Sequence, residues 1–266
     1  MWRQMVYRGP VAPLDAIVII VAGLAAGTIN TVVGSGTLIT FPTLLFLGYP
    51  PVAANISNSL GLSFSGLTAA QGARDEMTAV WPVVRLMLPL QLLGSALGAG
   101  LLLVLPPEAF TAIVPVLIVI AALLVIFGRR INGWIGAHHA DAPLTGGRRI
   151  GLLVGALFTG MYGGYFGAAQ GVLLIGLLSA LTGLSLLRIN VVKNILAPAA
   201  NFLAALVFLI VAWHQVRWAV AGLLAIGALG GGWLGARIGR RLSPTLLRVF
   251  IVLVSAVAVV KLVWFS

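Results

Sequence analysis

Residues 15–48 read DAIVIIVAGLAAGTINTVVGSGTLITFPTLLFLG, an apolar run of 34 residues with a glycine cluster, Gly34-Ser35-Gly36, beyond its midpoint. As one helix it would reach about 51 Å. The hydrocarbon core of a bilayer is about 30 Å thick. The run is too long for one crossing and is interrupted where glycine permits a reversal. It reads as two shortened helices joined at a break. Residues 150–183, IGLLVGALFTGMYGGYFGAAQGVLLIGLLSALTG, have the same length and are also interrupted, by Gly163-Gly164 and Gly167. Short, glycine-interrupted apolar segments at matching places in two halves are the best sequence pointer to a transport site.

The rest of the chain agrees with a membrane environment. It is 61% hydrophobic and 8% charged, against about 25% charged in soluble domains. Backbone groups in lipid must be satisfied internally, and long Leu/Val/Ala runs without alternation select helices. Six further stretches are expected as plain spanning helices: 52–71, 79–104, 108–127, 191–212, 216–236 and 244–264. The net charge of +11 would suit a nucleic-acid binder, but the arginines gather in short loops, as positive-inside topology requires. No nucleic-acid partner is expected. Zero cysteines exclude disulfides and thiolate metal sites.

Residues 23–107 reappear loosely at 155–244. Trp81 aligns with Trp218, Gly94 with Gly231, Gly98 with Gly235 and Pro107 with Pro244, all at one offset. Gly34-Ser-Gly36-Thr37 sits against Gly167-Ala-Ala-Gln170-Gly171, and Asn55-x-x-Asn58-Ser59 against Asn190-x-x-Lys193-Asn194. Arg129, Arg130, Arg148 and Arg149 mark 129–149 as a cytoplasmic linker. Arg237, Arg240, Arg241 and Arg248 place 237–248 on the same side. The crossings between them add up only if 150–183 enters and returns to one face. The linker at 72–78 and the loop at 184–193 then fall on the cytoplasmic side too, although Arg3 and Arg8 come out on the other side. The fold expected is all-α and polytopic: two inverted repeats (1–128 and 150–266), each a glycine-broken helical hairpin plus three transmembrane helices.

A helix that starts at a mid-membrane break points unpaired amides into the cavity. With the helix dipole they attract an anion without a charged side chain. Candidate substrate-binding residues are therefore Asn30, Gly34, Ser35, Gly36 and Thr37 at the first break, and Gly167, Gln170 and Gly171 at the second. Tyr162 and Tyr165 flank the second break, either as phenol donors to an oxyanion or as interfacial anchors. The paired motif adds Asn55, Asn58 and Ser59, and Asn190, Lys193 and Asn194, since amides on an apolar helix are costly unless they face a cavity or a neighbouring helix. Lys193 either supplies a positive charge to the anion or snorkels to the headgroups. Arg85 reads as an interfacial anchor. Gly94-x-x-x-Gly98 and Gly231-x-x-x-Gly235-x-x-x-Gly239 read as helix-packing faces between the repeats.

The segment 23–60, GLAAGTINTVVGSGTLITFPTLLFLGYPPVAANISNSL, repeated in degraded form in the second half, resembles the signature of the TauE/SafE, or sulfite-exporter-like, transporters. The resemblance covers essentially the whole chain. It implies a multi-pass bacterial plasma-membrane protein that moves small sulfur oxyanions or organosulfonates such as sulfite or sulfoacetate, by alternating access. An anion channel with a helix-dipole-lined constriction is the alternative. Family members often carry a fuller glycine cluster at the break than this chain, where Ser35, Thr37, Ala168, Ala169 and Gln170 intervene.

The five acidic residues, Asp15, Asp75, Glu76, Glu108 and Asp141, fall at helix ends or in loops, where they suit neither a metal-cation carrier nor a carboxylate proton relay. His138, His139 and His214 fall in loops. No Ser/His pair shares an apolar core, so no enzyme, cofactor or metal is expected. Beyond a small anion and the lipid bilayer, a second copy of the chain is a possible partner.

Overall fold

The computed structural model describes the backbone of residues 11–65, 74–136, 146–238 and 244–264. Within these the chain is helical: α1 Pro13–Val32, α2 Thr37–Phe46, α3 Pro51–Ser63, α4 Arg74–Val104, α5 Pro107–Gly136, α6 Gly146–Tyr165, α7 Gln170–Leu181, α8 Leu186–Ala212, α9 Trp218–Ile238 and α10 Pro244–Trp264. His138, His139, Asp141, Arg3, Arg8 and Gly239 lie outside the described residues. Proline begins several helices, where its missing N–H costs nothing. Pro13 opens α1 behind an extended Ala12, and Pro51 opens α3 behind an extended Pro50. Ser185 caps α8 by accepting from the Arg188 amide at 3.4 Å.

Among the described residues five helices are long and apolar enough to cross a membrane: Pro13–Val32, Glu76–Val104, Pro107–Phe127, Leu186–Gln215 and Trp218–Arg237. Four of the six stretches expected as plain spans are among them. The fifth, 52–71, is described as helix only from Pro51 to Ser63, about 20 Å, with 66–73 outside the described residues. The sixth is α10, whose described apolar segment runs from Val249 to Val260.

Both long runs break where the glycines lie, but unequally. The first limbs, α1 and α6, keep 20 residues each and are not shortened. Only the second limbs are short, with 10 residues in α2 and 12 in α7. In the first run the glycines lie past the midpoint; in the second they lie at the middle, and α6 gains its length by starting at Gly146, upstream of the run.

Small residues draw the helices together. Gly23 and Gly27 of α1 face Leu224, Gly227 and Ala228 of α9, and Gly231 and Gly235 press on Leu24 and Thr28 in return. Gly94 and Gly98 of α4 likewise meet Leu157 and Met161 of α6, whose Gly160 and Gly164 abut Gln91 and Ser95. Thr28 Oγ1 donates to the Gly231 carbonyl at 3.0 Å, and Ser95 Oγ to the Ala200 carbonyl at 2.5 Å. The glycine rows are thus packing faces, and they join an N-terminal-half helix to a C-terminal-half helix. The contacts come in matched sets: α1 with α9 and α6 with α4, α3 with α9 and α8 with α4, α2 with α10 and α7 with α5. An edge-to-face cluster of Phe41, Phe110, Tyr165 and Phe166, with Phe41 and Phe166 centroids 5.2 Å apart, packs α2 against α5 and the second break.

Candidate anion site at the paired helix breaks

The two breaks are built alike. At the first, the amides of Val33 and Gly34 both fold back onto the Ile29 carbonyl, at 2.7 and 3.1 Å. At the second, the amides of Phe166 and Gly167 both reach the Tyr162 carbonyl at 3.0 Å. A glycine at positive φ then turns the chain: Gly34 at +84° and Gly167 at +76°. A new helix starts three residues later, at Thr37 or Gln170. In α2 the hydrogen-bond ladder begins with the Leu38 amide on Ser35 and the Ile39 amide on Gly36, at 3.1 and 3.0 Å. The earlier amides lie at the open end of the helix.

The breaks touch. The Gly171 amide, in the first turn of α7, donates to the Gly34 carbonyl at 3.1 Å. A methyl on Gly34 would lie 2.5 Å from the Gly171 Cα, and the Lys193 Cδ would be 3.2 Å away. Only glycine allows this approach. The Gly171 amide is thereby taken by backbone.

Lys193 does not snorkel. It is 1% exposed, and its ammonium donates to the carbonyls of Asn30 at 3.2 Å and Thr31 at 2.9 Å. These are carbonyls at the C-terminal end of α1, where the helix dipole favours a cation. The side chain crosses from the second half to hold the break of the first. Asn55 does the reverse, donating from α3 to the Tyr165 carbonyl at the end of α6, at 2.9 Å. Each third helix therefore caps the broken helix of the other half.

A pocket lined by Asn30, Thr31, Gly34, Ser65, Lys193, Asn194, Ala197 and Pro198 opens beside the first break. Asn30 Nδ2 donates to Ser65 Oγ at 3.2 Å. The Ser35 hydroxyl, fully buried at the start of α2, has no hydrogen-bond partner. On the α3 side the polar groups close on one another. Thr40 Oγ1 donates to Asn58 Oδ1, and Asn58 Nδ2 donates to Thr37 Oγ1 at 3.3 Å. Ser59 is buried one residue on. Gly36 lies against Ala26 and Asn30, and Gly167 faces Asn201 and Thr37.

Two expected residues lie elsewhere. Gln170 turns back onto α6, donating to the Thr159 carbonyl at 3.1 Å, because Gly163 leaves room for its amide there. Asn190 donates to the Leu186 carbonyl of its own helix at 3.0 Å. The Tyr162 hydroxyl donates to the Ala168 carbonyl at 2.6 Å. Thr31, Ser65, Thr40 and Asn201 escaped the sequence reading. Thr40 and Asn201 had a signal, since Thr40 is one turn beyond Thr37 and Asn201 two turns beyond Lys193, each on the same face. Ser65 had none. Arg85 stacks over Trp81, 5.4 Å from the ring centroid, and is exposed, as suits an anchor.

The family model described as sulfite exporter TauE/SafE matches residues 19–262. The chain is 27% identical over 242 residues to a "Probable membrane transporter protein" of Haemophilus influenzae, covering 91% of this chain and 92% of the relative. It is 29% identical to "Probable membrane transporter protein ORF9" of a Sinorhizobium species, covering 91% and 90%. It is 25% identical to "Probable membrane transporter protein YfcA" of Escherichia coli K12, covering 96% and 92%. No solved structure matches the chain.

Proposed function

The chain belongs to the sulfite exporter TauE/SafE family of multi-pass membrane transporters, and from that premise we propose that it is a secondary transporter for a small anion. The substrate class is a sulfur oxyanion or organosulfonate, of the sulfite and sulfoacetate kind, and the setting is the bacterial plasma membrane. The anion binds where the two helix breaks meet. The observation that carries this reading is the junction itself. The start of α2, with the buried and unpartnered Ser35 hydroxyl, lies beside a break that touches its counterpart through Gly34 and Gly171. The Lys193 ammonium is at the same place. Two of its three donors are used on carbonyls, leaving one for an anion in the pocket. Asn30 and Asn194 line the same pocket.

Alternating access follows if the two halves are inverted repeats that rock about this junction. The matched helix contacts support that arrangement. So does the ion pair of Arg188 Nε with Glu76 Oε2 at 2.8 Å, which joins the starts of α8 and α4 and fits one cytoplasmic face for 72–78 and 184–193. The second limbs measure about 15 and 18 Å, half a hydrocarbon core. Proteoliposome uptake is the test. Saturable, counter-gradient accumulation of labelled sulfite or sulfoacetate is expected. Flux that never exceeds equilibrium would indicate a channel, and no flux of any sulfur oxyanion would remove the proposal.

A further inference from the structure

The carbonyl cluster under Lys193 has the chemistry of an alkali-cation site. Because Val33 and Gly34 both use the Ile29 carbonyl, the carbonyls of Asn30 and Thr31 are left open to Lys193. The Asn30 side chain is engaged through Nδ2 with Ser65 Oγ. Ser65 and Asn194 border the same pocket. The two carbonyls are neutral, hard oxygens at the negative end of a broken helix. Such an end is where membrane transporters coordinate a monovalent cation, and hard oxygens select hard cations over transition metals. Among the described residues no carboxylate pairs with Lys193, so the cluster is suited to one positive charge and no more. The ammonium fills that place.

We propose that this is a monovalent-cation site permanently occupied by the protein's own Lys193, a covalently tethered counter-ion that replaces a free sodium-class ion. Its relevance to transport rests on the anion-transporter reading above, but its test does not need a substrate. The native protein then gains nothing from Na+ or K+. Truncating the side chain while leaving its space empties the site and opens it to a free cation. Refilling that space with an apolar chain closes it again.

Purified wild type, Lys193→Ala and Lys193→Met are unfolded thermally in NaCl, KCl and choline chloride at equal ionic strength. Wild type is expected to melt at one temperature in all three. Lys193→Ala is expected to melt lower in choline and to recover saturably with Na+ or K+, by on the order of 5 °C. Lys193→Met, which keeps the bulk without the charge, is expected to melt low and to ignore the cation. The proposal is overturned by a wild type that Na+ or K+ stabilises over choline, or by a Lys193→Ala protein indifferent to both cations. It is overturned equally by Lys193→Ala recovered folded in no medium while Lys193→Met is folded. Adding sulfite or sulfoacetate separates the two readings. Cation recovery of Lys193→Ala with no anion-induced shift in any form would sink the transporter reading and leave the cation site standing.

Discussion

At each break the closing amides of the first limb converge on one carbonyl, Ile29 in α1 and Tyr162 in α6, and a positive-φ glycine follows. The side chains that guard the exposed carbonyls differ. The first break is held by a cation, Lys193, and the second by a neutral amide, Asn55. The groups beside them differ too. Near Lys193 there is a pocket with amide and hydroxyl groups, whereas next to Asn55 on α3 the Asn58 amide is engaged with Thr37 and Thr40 of α2. One backbone device therefore serves two purposes. The second break is packed against the aromatic cluster around Phe166, with the Tyr165 hydroxyl, Asn55 Oδ1 and Gln170 Oε1 buried there without a partner. The first adds a charge and a pocket to its orphaned Ser35 hydroxyl, and it is the half proposed above to bind.

The backbone junction is the most sensitive place to break this comparison. Gly34→Ala should lose folded protein altogether, because the methyl meets the Gly171 Cα and the residue must keep a left-handed φ. Gly48→Ala separates those two causes. Its φ is +85° but nothing lies within 4 Å, so it should lose only about 1–2 kcal/mol, readable as a small fall in melting temperature. Equal damage at both sites would show that backbone strain, and not the junction, is what matters.

The two guards should then part company. Lys193→Met removes a charge-assisted donor and should weaken anion binding about 10- to 100-fold by titration calorimetry. Asn55→Leu leaves the Tyr165 carbonyl unpaired in the core and should cost about 1–3 kcal/mol of stability, with anion affinity little changed. If Asn55→Leu weakened the anion as much as Lys193→Met, the division of labour between the breaks would be wrong. Thr37→Val and Asn58→Leu should have a smaller effect, about tenfold in affinity, in proteins that remain folded by size-exclusion chromatography.

The breaks were legible because 34 apolar residues exceed what one crossing can use and the glycines mark the only cheap place to turn. The packing faces were legible because glycines four apart share a helix side, and Gly94, Gly98, Gly231 and Gly235 lie where that rule puts them. Partners far away in sequence were not. Lys193 binds carbonyls 163 and 162 residues earlier, and local spacing cannot distinguish that from a snorkelling lysine. The turn of Gln170 toward α6 depends on the missing side chain of Gly163, which is a tertiary fact. The long first limb was legible in the first run, where the glycines lie past the midpoint, but not in the second, where α6 starts upstream of the apolar run at Gly146.

The chain has no cysteine, so one can be placed at the pocket without background. Asn194→Cys in proteoliposomes, labelled with a small thiosulfonate reagent, reports directly on whether the anion sits at the first break. Sulfoacetate is the protecting ligand, since sulfite would attack the reagent, and Leu187→Cys, exposed near the start of α8, is the control. Labelling of Asn194→Cys is expected to slow severalfold and saturably with sulfoacetate while Leu187→Cys labels at an unchanged rate. Identical labelling of Asn194→Cys with and without a sulfoacetate concentration that supports uptake would place the anion elsewhere and contradict the site.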